Sequence, residues 1–435
     1  MKIKVTGGNK LTGTVTPIAN KNSIVAALPA SILVKGKTTY KNVPKSTDVD
    51  KILEILKELG AEVDNNDYNN LIIDCTNVNK WEVISPSSKK FRGSVMFAGP
   101  LLARFGKAKI PVPGGCVLGK RSLSAHFDVF KGCGVETEFD TDTVTFTVKD
   151  HPKNVRIWQL EASVTATENF AMYAAGVDGT FELTDAACEP HVTELLTLLN
   201  NMGAKITGIG TNKIIIEGSE NLKESSYKPG PDIIDIVGYV VAAALTKGNI
   251  ILKDANVPEI VDGVIRHLSK FNIDIKRNGN DLEIDGKNPL KIDLVNSGMP
   301  LATDDLPKFS PRPWPGFPVD ALPQIVALGC KLNGKILIQN WMYESGLEFS
   351  RELASMGGNV FICDPQRVII SGPAKLKSSE VYPPDVIQAI MALFLLALAD
   401  PVETTINNAQ FLLRRYPNII EDYTSLGAKI ELIEK

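Results

Sequence analysis

Residues 52–63 read ILEILKELGAEV: apolar residues at helical spacing, then a glycine, then the alternation of a strand. A helix that ends in a left-handed residue and turns straight into a strand calls for glycine there, with asparagine next best. The same string returns as FDVFKGCGVETE (127–138), LLTLLNNMGAKI (195–206), RHLSKFNIDIKR (266–277), FSRELASMGGNV (349–360) and IEDYTSLGAKIE (420–431). The expected caps are Gly60, Gly134, Gly203, Asn272, Gly357 and Gly427, roughly 70 to 85 residues apart. Repeats of that length are too long for a short-repeat solenoid and suit a domain built from repeated α/β units.

A second pattern lies upstream of each cap. It reads as a helix rich in small residues, a short turn and a strand: SIVAALPASILVKGKTTYKNVP (23–44), SVMFAGPLLARFGKAKIPVPGG (94–115), ENFAMYAAGVDGTFELTDA (168–186) and IVGYVVAAALTKGNIILKDANVPE (236–259), with two more from Gln324 and Ile387. These helices are apolar nearly all round, which predicts burial on every side. The cap helices are amphipathic and should be half-exposed. Each unit therefore supplies one buried helix and one half-exposed helix with strands between, and six units divide as three plus three. The prolines and glycine of YKPGPD (227–232) mark a boundary. A second irregular stretch, Asn296–Pro318 with its PRPWPGFP string, reads as a functional loop or a disordered insertion.

Composition narrows the class. The chain has 435 residues, 44% hydrophobic and 22% charged, with a net charge of −3. That balance fits a globular protein and argues against a general nucleic-acid binder. The six cysteines are scattered, with no C-x-x-C and no histidine at ligand spacing, so no metal site and a reducing compartment are expected. MKIKVTGGNKL alternates like a strand and lacks the apolar run of a signal peptide, and Val386–Ala399 is too short to span a bilayer. A cytoplasmic protein without membrane contact is the expectation. GIGTNK (208–213) resembles part of a dinucleotide-binding loop but lacks its third glycine.

The chemistry concentrates in PVPGGCVLGKR (111–121). Gly114, Gly115 and Gly119 free the backbone around Cys116, while Lys120 and Arg121 favour its thiolate and attract an anion. This reads as a reactive loop; the alternative is a buried small cysteine.

Taken with KNSIVAALPA, SVTATEN, AACEPHV, GTNKIIIEG, VAAALTKG, FPVD and LGAKI, the P-G-G-C-x-x-G-x-R string is similar, nearly end to end, to the UDP-N-acetylglucosamine 1-carboxyvinyltransferase family. These are the enolpyruvyl transferases that open peptidoglycan synthesis. The cysteine separates them from the related shikimate-pathway transferase. The resemblance implies an inside-out α/β barrel fold: two similar domains, each of three α/β units, with buried helices inside and sheets outside. The domains would be 21–230, and 1–20 with 231–435. It also implies phosphoenolpyruvate and UDP-N-acetylglucosamine as substrates and no cofactor. The sugar 3-hydroxyl would add across the enol double bond, and phosphate would then leave.

By local motif, Lys21, Arg121 and Arg414 match the family's cations for phosphoenolpyruvate. They lie far apart in sequence, which implies a cleft closing between two domains. Cys116 matches the acid that protonates the methylene carbon. Asp320, in FPVD, matches the carboxylate that holds and helps deprotonate the hydroxyl; it could also cap the helix of ALPQIVALG. Cys116, Asp320, Lys21 and Arg414 are the implied catalytic set. Lys21, Asn22, Arg92, Arg121, Ser122, Leu123, Ser124, Ala125, Ser163, Val164, Asp320, Met342 and Arg414 are the implied substrate contacts. A helix beginning near SVTATEN would offer free amides to a diphosphate.

Several positions depart from the family pattern. Ser122, Leu123, Ser124 and Ala125 stand where Pro-Val-Asp-Leu is usual. Glu161 stands for a lysine, and Gly346 and Gln388 stand for arginines. Lys308, Arg312, Arg415 or Lys120 could compensate. Two further readings follow: an enolpyruvyl transferase with another acceptor, or a non-catalytic paralogue that binds nucleotide sugars. Retention of Cys116, Lys21, Arg121, Arg414 and Asp320 favours an enzyme.

Overall fold

All six predicted caps have left-handed backbones: Gly60 (φ 105°), Gly134 (76°), Gly203 (118°), Asn272 (65°), Gly357 (101°) and Gly427 (105°). The computed structural model describes residues 1–89, 91–112, 123–292, 301–303 and 306–434. Cys116, Lys120, Arg121 and Ser122 lie outside the described residues.

The apolar segments form the helices Lys21–Ala30, Ala98–Phe105, Val164–Ala175, Ile233–Thr246, Leu322–Gly329 and Ile387–Ala397. Every residue of Ile233–Thr246 and Leu322–Gly329 is buried, and Val164–Ala175 is buried from Ala166 onward. Ala98–Phe105 departs from the expectation: it is buried only through Leu102. Its last turn carries Arg104, whose guanidinium donates to the carbonyls of Ile32 (2.9 Å) and Val78 (3.1 Å).

The chain forms two compact units. One holds Met1–Ile18 and Pro231–Lys435; the other holds the described residues of Ala19–Gly230. Each has its own hydrophobic core and three of the six sheets formed by the described residues. The sheets share one plan. The strand after a buried helix pairs antiparallel on one side and, in five of the six, parallel with a short strand on the other. Those parallel pairs are Lys37–Lys41 with Ser225–Tyr227, Gly179–Thr184 with Asn154–Trp158, Asn249–Leu252 with Thr12–Val15, Gly334–Gln339 with Leu306–Phe309, and Glu403–Ile406 with Ser379–Val381. In the sixth, Lys107–Pro111 has only the parallel bridge Glu82–Lys109 in that place. The last sheet takes its antiparallel central strand, Lys2–Thr6, from the start of the chain.

Of the irregular stretch, residues 296–300, 304 and 305 lie outside the described residues, Leu306–Phe309 is a strand, and 310–318 run as a loop without helix or strand. Phe309 and Phe317 are buried against one another with ring centroids 5.1 Å apart. GIGTNK is the hairpin turn between Lys205–Thr207 and Lys213–Gly218, with positive φ at Gly208 and Gly210. No helix among the described residues is long and apolar enough to cross a membrane.

Candidate active site

In the unit of Ala19–Gly230, Asn20 caps the helix Lys21–Ala30. Its Oδ1 accepts from the Asn22 amide at 3.0 Å. The cap sets Lys21 at the head of the helix, where Nζ pairs with Asp48 Oδ2 at 2.5 Å. Asp48 is almost completely buried in the first turn of Thr47–Leu59. A buried carboxylate and a half-buried ammonium fix one another. Nothing in the sequence singled out Asp48, because an acid in a helix's first turn ordinarily serves only the helix dipole.

Two further helix starts lie in this unit. Ser163 precedes Val164–Ala175 and makes no side-chain cap bond, so first-turn amides of this helix are left without helical acceptors. Ser163 and Val164 are half-buried and Glu161 is exposed. The Glu161 carbonyl accepts from Gln159 Nε2 and from the Ser163 amide, which pins this turn. The helix Ser124–Gly132 begins just after Leu123. Leu123 is buried in the core, while Ser124 is exposed and Ala125 half-buried.

His126 ties the two starts together. Its Nε2 lies 3.0 Å from Thr165 Oγ1 and its Nδ1 lies 3.2 Å from Asn169 Nδ2. Asn169 Oδ1 accepts from the Gly99 amide at 2.7 Å, which leaves its Nδ2 to donate. His126 Nδ1 is therefore the acceptor and Nε2 carries the proton. Burial, helped by the charge of Arg92, pushes His126 down to about 3, so the imidazole is neutral at ordinary pH. Arg92 itself heads the 3₁₀ turn Arg92–Phe97.

In the other unit, Asp320 sits in the 3₁₀ turn Val319–Ala321, ahead of Leu322–Gly329. It does not cap that helix, because neither the turn nor the helix has a side-chain cap bond. Its Oδ1 instead accepts from the Tyr343 hydroxyl at 3.3 Å. Tyr343 is held by the buried Asn340, whose Oδ1 accepts from the amides of Met342 (3.2 Å) and Tyr343 (3.1 Å). Asp320, Asn340, Tyr343, Ser345, Gly346 and Gln388 line one pocket, and no lysine or arginine lines it among the described residues. Met342 is half-buried on the same turn.

Arg414 is exposed at the end of Ala409–Arg415. Its neighbour Arg415 is buried and donates to Asp232 Oδ2 at 2.6 Å. Burial works against the Arg415 charge, and Asp232 more than restores it. Asp232 also caps Ile233–Thr246, so the pair ties Arg415 to the start of that helix. Lys308 lies on the strand Leu306–Phe309, Arg312 follows it, and neither lines the Asp320 pocket.

Gly346 also proves to be more than a missing arginine. A Cβ there would lie 2.1 Å from Asn340 Nδ2, so the Asn340 amide occupies the space a side chain would need. Gln388 is the second residue of Ile387–Ala397 and faces the pocket.

Comparison with known proteins identifies the family and the fold. The family model for EPSP synthase (3-phosphoshikimate 1-carboxyvinyltransferase) matches residues 5–423. The UDP-N-acetylglucosamine 1-carboxyvinyltransferase of Treponema denticola is 35% identical over 99% of this chain and 99% of its own length. That of Bradyrhizobium diazoefficiens is also 35% identical, over 99% of this chain and 97% of its own. In fold, the chain is similar to the enolpyruvyl transferase NikO from Streptomyces tendae, with a TM-score of 0.86 at 21% identity over 99% of this chain and 98% of that one. It is also similar to the EPSP synthase of Acinetobacter baumannii, with a TM-score of 0.75 at 16% identity over the whole of both chains. The chain belongs to the EPSP synthase family and, within it, to the UDP-N-acetylglucosamine 1-carboxyvinyltransferases.

Proposed function

We propose that this protein transfers the enolpyruvyl group of phosphoenolpyruvate to the 3-hydroxyl of UDP-N-acetylglucosamine with release of phosphate, the opening step of peptidoglycan synthesis in the cytoplasm. The observation that carries the reading is end-to-end similarity, at 35% identity, to proteins named for that reaction. In this reading the two units are the enolpyruvyl-transferase domains, 21–230 and 1–20 with 231–435, each an inside-out barrel. Cys116 delivers the proton to the methylene carbon. Asp320 takes up the hydroxyl proton as the C–O bond forms. Lys21, Arg121 and Arg414 bind the anionic phosphoenolpyruvate. Asn22, Arg92, the 121–125 segment, Ser163, Val164, Asp320 and Met342 hold the nucleotide sugar. The amides that open Val164–Ala175 suit a diphosphate, and the Asp48 contact keeps the Lys21 ammonium in one direction.

A second reading, the same transfer to a different acceptor, is favoured by one observation: among the described residues, those lining the Asp320 pocket include a carboxylate and no cation. Phosphate release measured with phosphoenolpyruvate and a panel of nucleotide sugars separates the two. Turnover that is fastest with UDP-N-acetylglucosamine, and that falls by at least a hundredfold in Cys116→Ser, is expected. Faster turnover with another sugar selects the second reading, and none with any sugar rejects both.

A further inference from the structure

We propose that Tyr343 is a positioning residue for Asp320. It donates a hydrogen bond to one carboxylate oxygen and so fixes the direction from which the other meets the acceptor hydroxyl. The proposal rests on the functional reading above for the role of Asp320. Its geometric basis is independent of that reading.

The Tyr343 hydroxyl lies 3.3 Å from Asp320 Oδ1. Asp320 stands on a single 3₁₀ turn, and a carboxylate there can rotate about its Cβ–Cγ bond unless a neighbour stops it. Tyr343 is itself stopped by a built turn. The side-chain oxygen of the buried Asn340 accepts from two successive amides, those of Met342 and Tyr343. Trp341 Nε1 donates to the Pro311 carbonyl at 2.9 Å and anchors the residue between. Gly346 leaves room for the Asn340 amide, since a Cβ would sit 2.1 Å from its nitrogen. Three contacts thus converge on holding one hydroxyl in place beside one carboxylate.

The hydrogen bond sets the orientation of the carboxylate. In the reaction, the acceptor hydroxyl proton passes to Asp320 while Tyr343 keeps its own. Tyr343 therefore shares Asp320's step without donating or accepting a proton.

The test is Tyr343→Phe in the full chain, which removes one oxygen atom and keeps the ring. With phosphoenolpyruvate and UDP-N-acetylglucosamine, kcat should fall about tenfold, the low end for a hydrogen bond to a charged group. Calorimetric affinity for UDP-N-acetylglucosamine should stay within about twofold, and the rate of Asp320→Ala should not fall further when Tyr343→Phe is added. An unchanged kcat overturns the proposal. So does affinity falling in step with kcat, which would make Tyr343 a direct sugar contact, or independent losses in the double variant. If the wild-type protein releases no phosphate, the functional reading fails on its own. Melting temperatures of the two single variants and the double then decide the Tyr343–Asp320 coupling: additive shifts overturn it, and non-additive shifts support it.

Discussion

Glycine at 346 looks, in sequence, like a cation removed from an anion site. The packing gives another account. The residue is buried, and the Asn340 amide fills the space a Cβ would take. Its backbone lies outside the left-handed region, so space alone sets the constraint. Restoring arginine should therefore fail. Gly346→Arg is expected to lower stability by about 1–3 kcal/mol, as overpacking does, with no gain in affinity for phosphoenolpyruvate. Gly346→Ala adds the same Cβ without charge and should lose a similar amount. Thermal melts with Michaelis constants check both, and a tighter-binding, stable Gly346→Arg would mean that Asn340 yields. Residues at this scale were only partly legible. Asp320, Lys21 and Arg414 could be named because each sits in a short local motif. Asp48 and Tyr343 could not, because each acts on a partner whose proximity only folding creates: 27 residues away for Asp48 and Lys21, and 23 for Tyr343 and Asp320.

At the scale of elements, the helix that begins near Ser124 and the one that begins near Val164 share a neutral imidazole. His126 accepts from Asn169 and donates to Thr165, and burial holds it at about 3 against 6.5 in an unfolded chain. The sign follows from which state refuses the proton. Above pH 6.5 neither state is charged at this site and the contribution to stability is whole. As the pH falls below 6.5 the unfolded chain takes a proton that the folded chain does not, so stability declines until about pH 3. The loss should reach about 2 kcal/mol by pH 5. His126→Gln keeps a donor and an acceptor without titrating. Its melting temperature should therefore fall less steeply than that of the wild type between pH 7 and 5, and parallel curves would rule the coupling out. Elements were the most legible scale in the sequence. The six left-handed caps and the buried helices follow from local rules of chirality and apolar periodicity. The parallel edge strand of five of the six sheets was not legible, because a segment such as Ser225–Tyr227 or Ser379–Val381 is too short and too polar to declare itself before it has a neighbour.

At the scale of the whole molecule, the order of the chain and the order of the structure disagree, and the disagreement is testable. The unit that contains Pro231–Lys435 takes two strands from the other end of the sequence. Lys2–Thr6 is bonded on both sides, to Glu403–Ile406 and to Lys429–Ile433. Thr12–Val15 pairs with Asn249–Leu252. Ile3, Val5 and Leu11 are essentially fully buried there. Burial of three aliphatic side chains contributes roughly 1.5–3 kcal/mol each, before any ladder hydrogen bond is counted, against a net stability of about 5–15 kcal/mol. Deleting residues 1–18 should therefore unfold that unit. The remainder should show lost near-ultraviolet signal and proteolysis confined to residues beyond 230. The same connectivity supplies the control. Lys2 stands opposite Ile433 in antiparallel register, so a short turn can join the last strand to the first as a hairpin. A permutant that starts at Pro231, runs through this join and ends at Gly230 keeps every strand of both units. It should fold and melt within a few degrees of the parent. If the permutant fails, the order in which the strands are made matters beyond their contacts. If the deletion survives intact, the strand Lys2–Thr6 is dispensable to the sheet it centres.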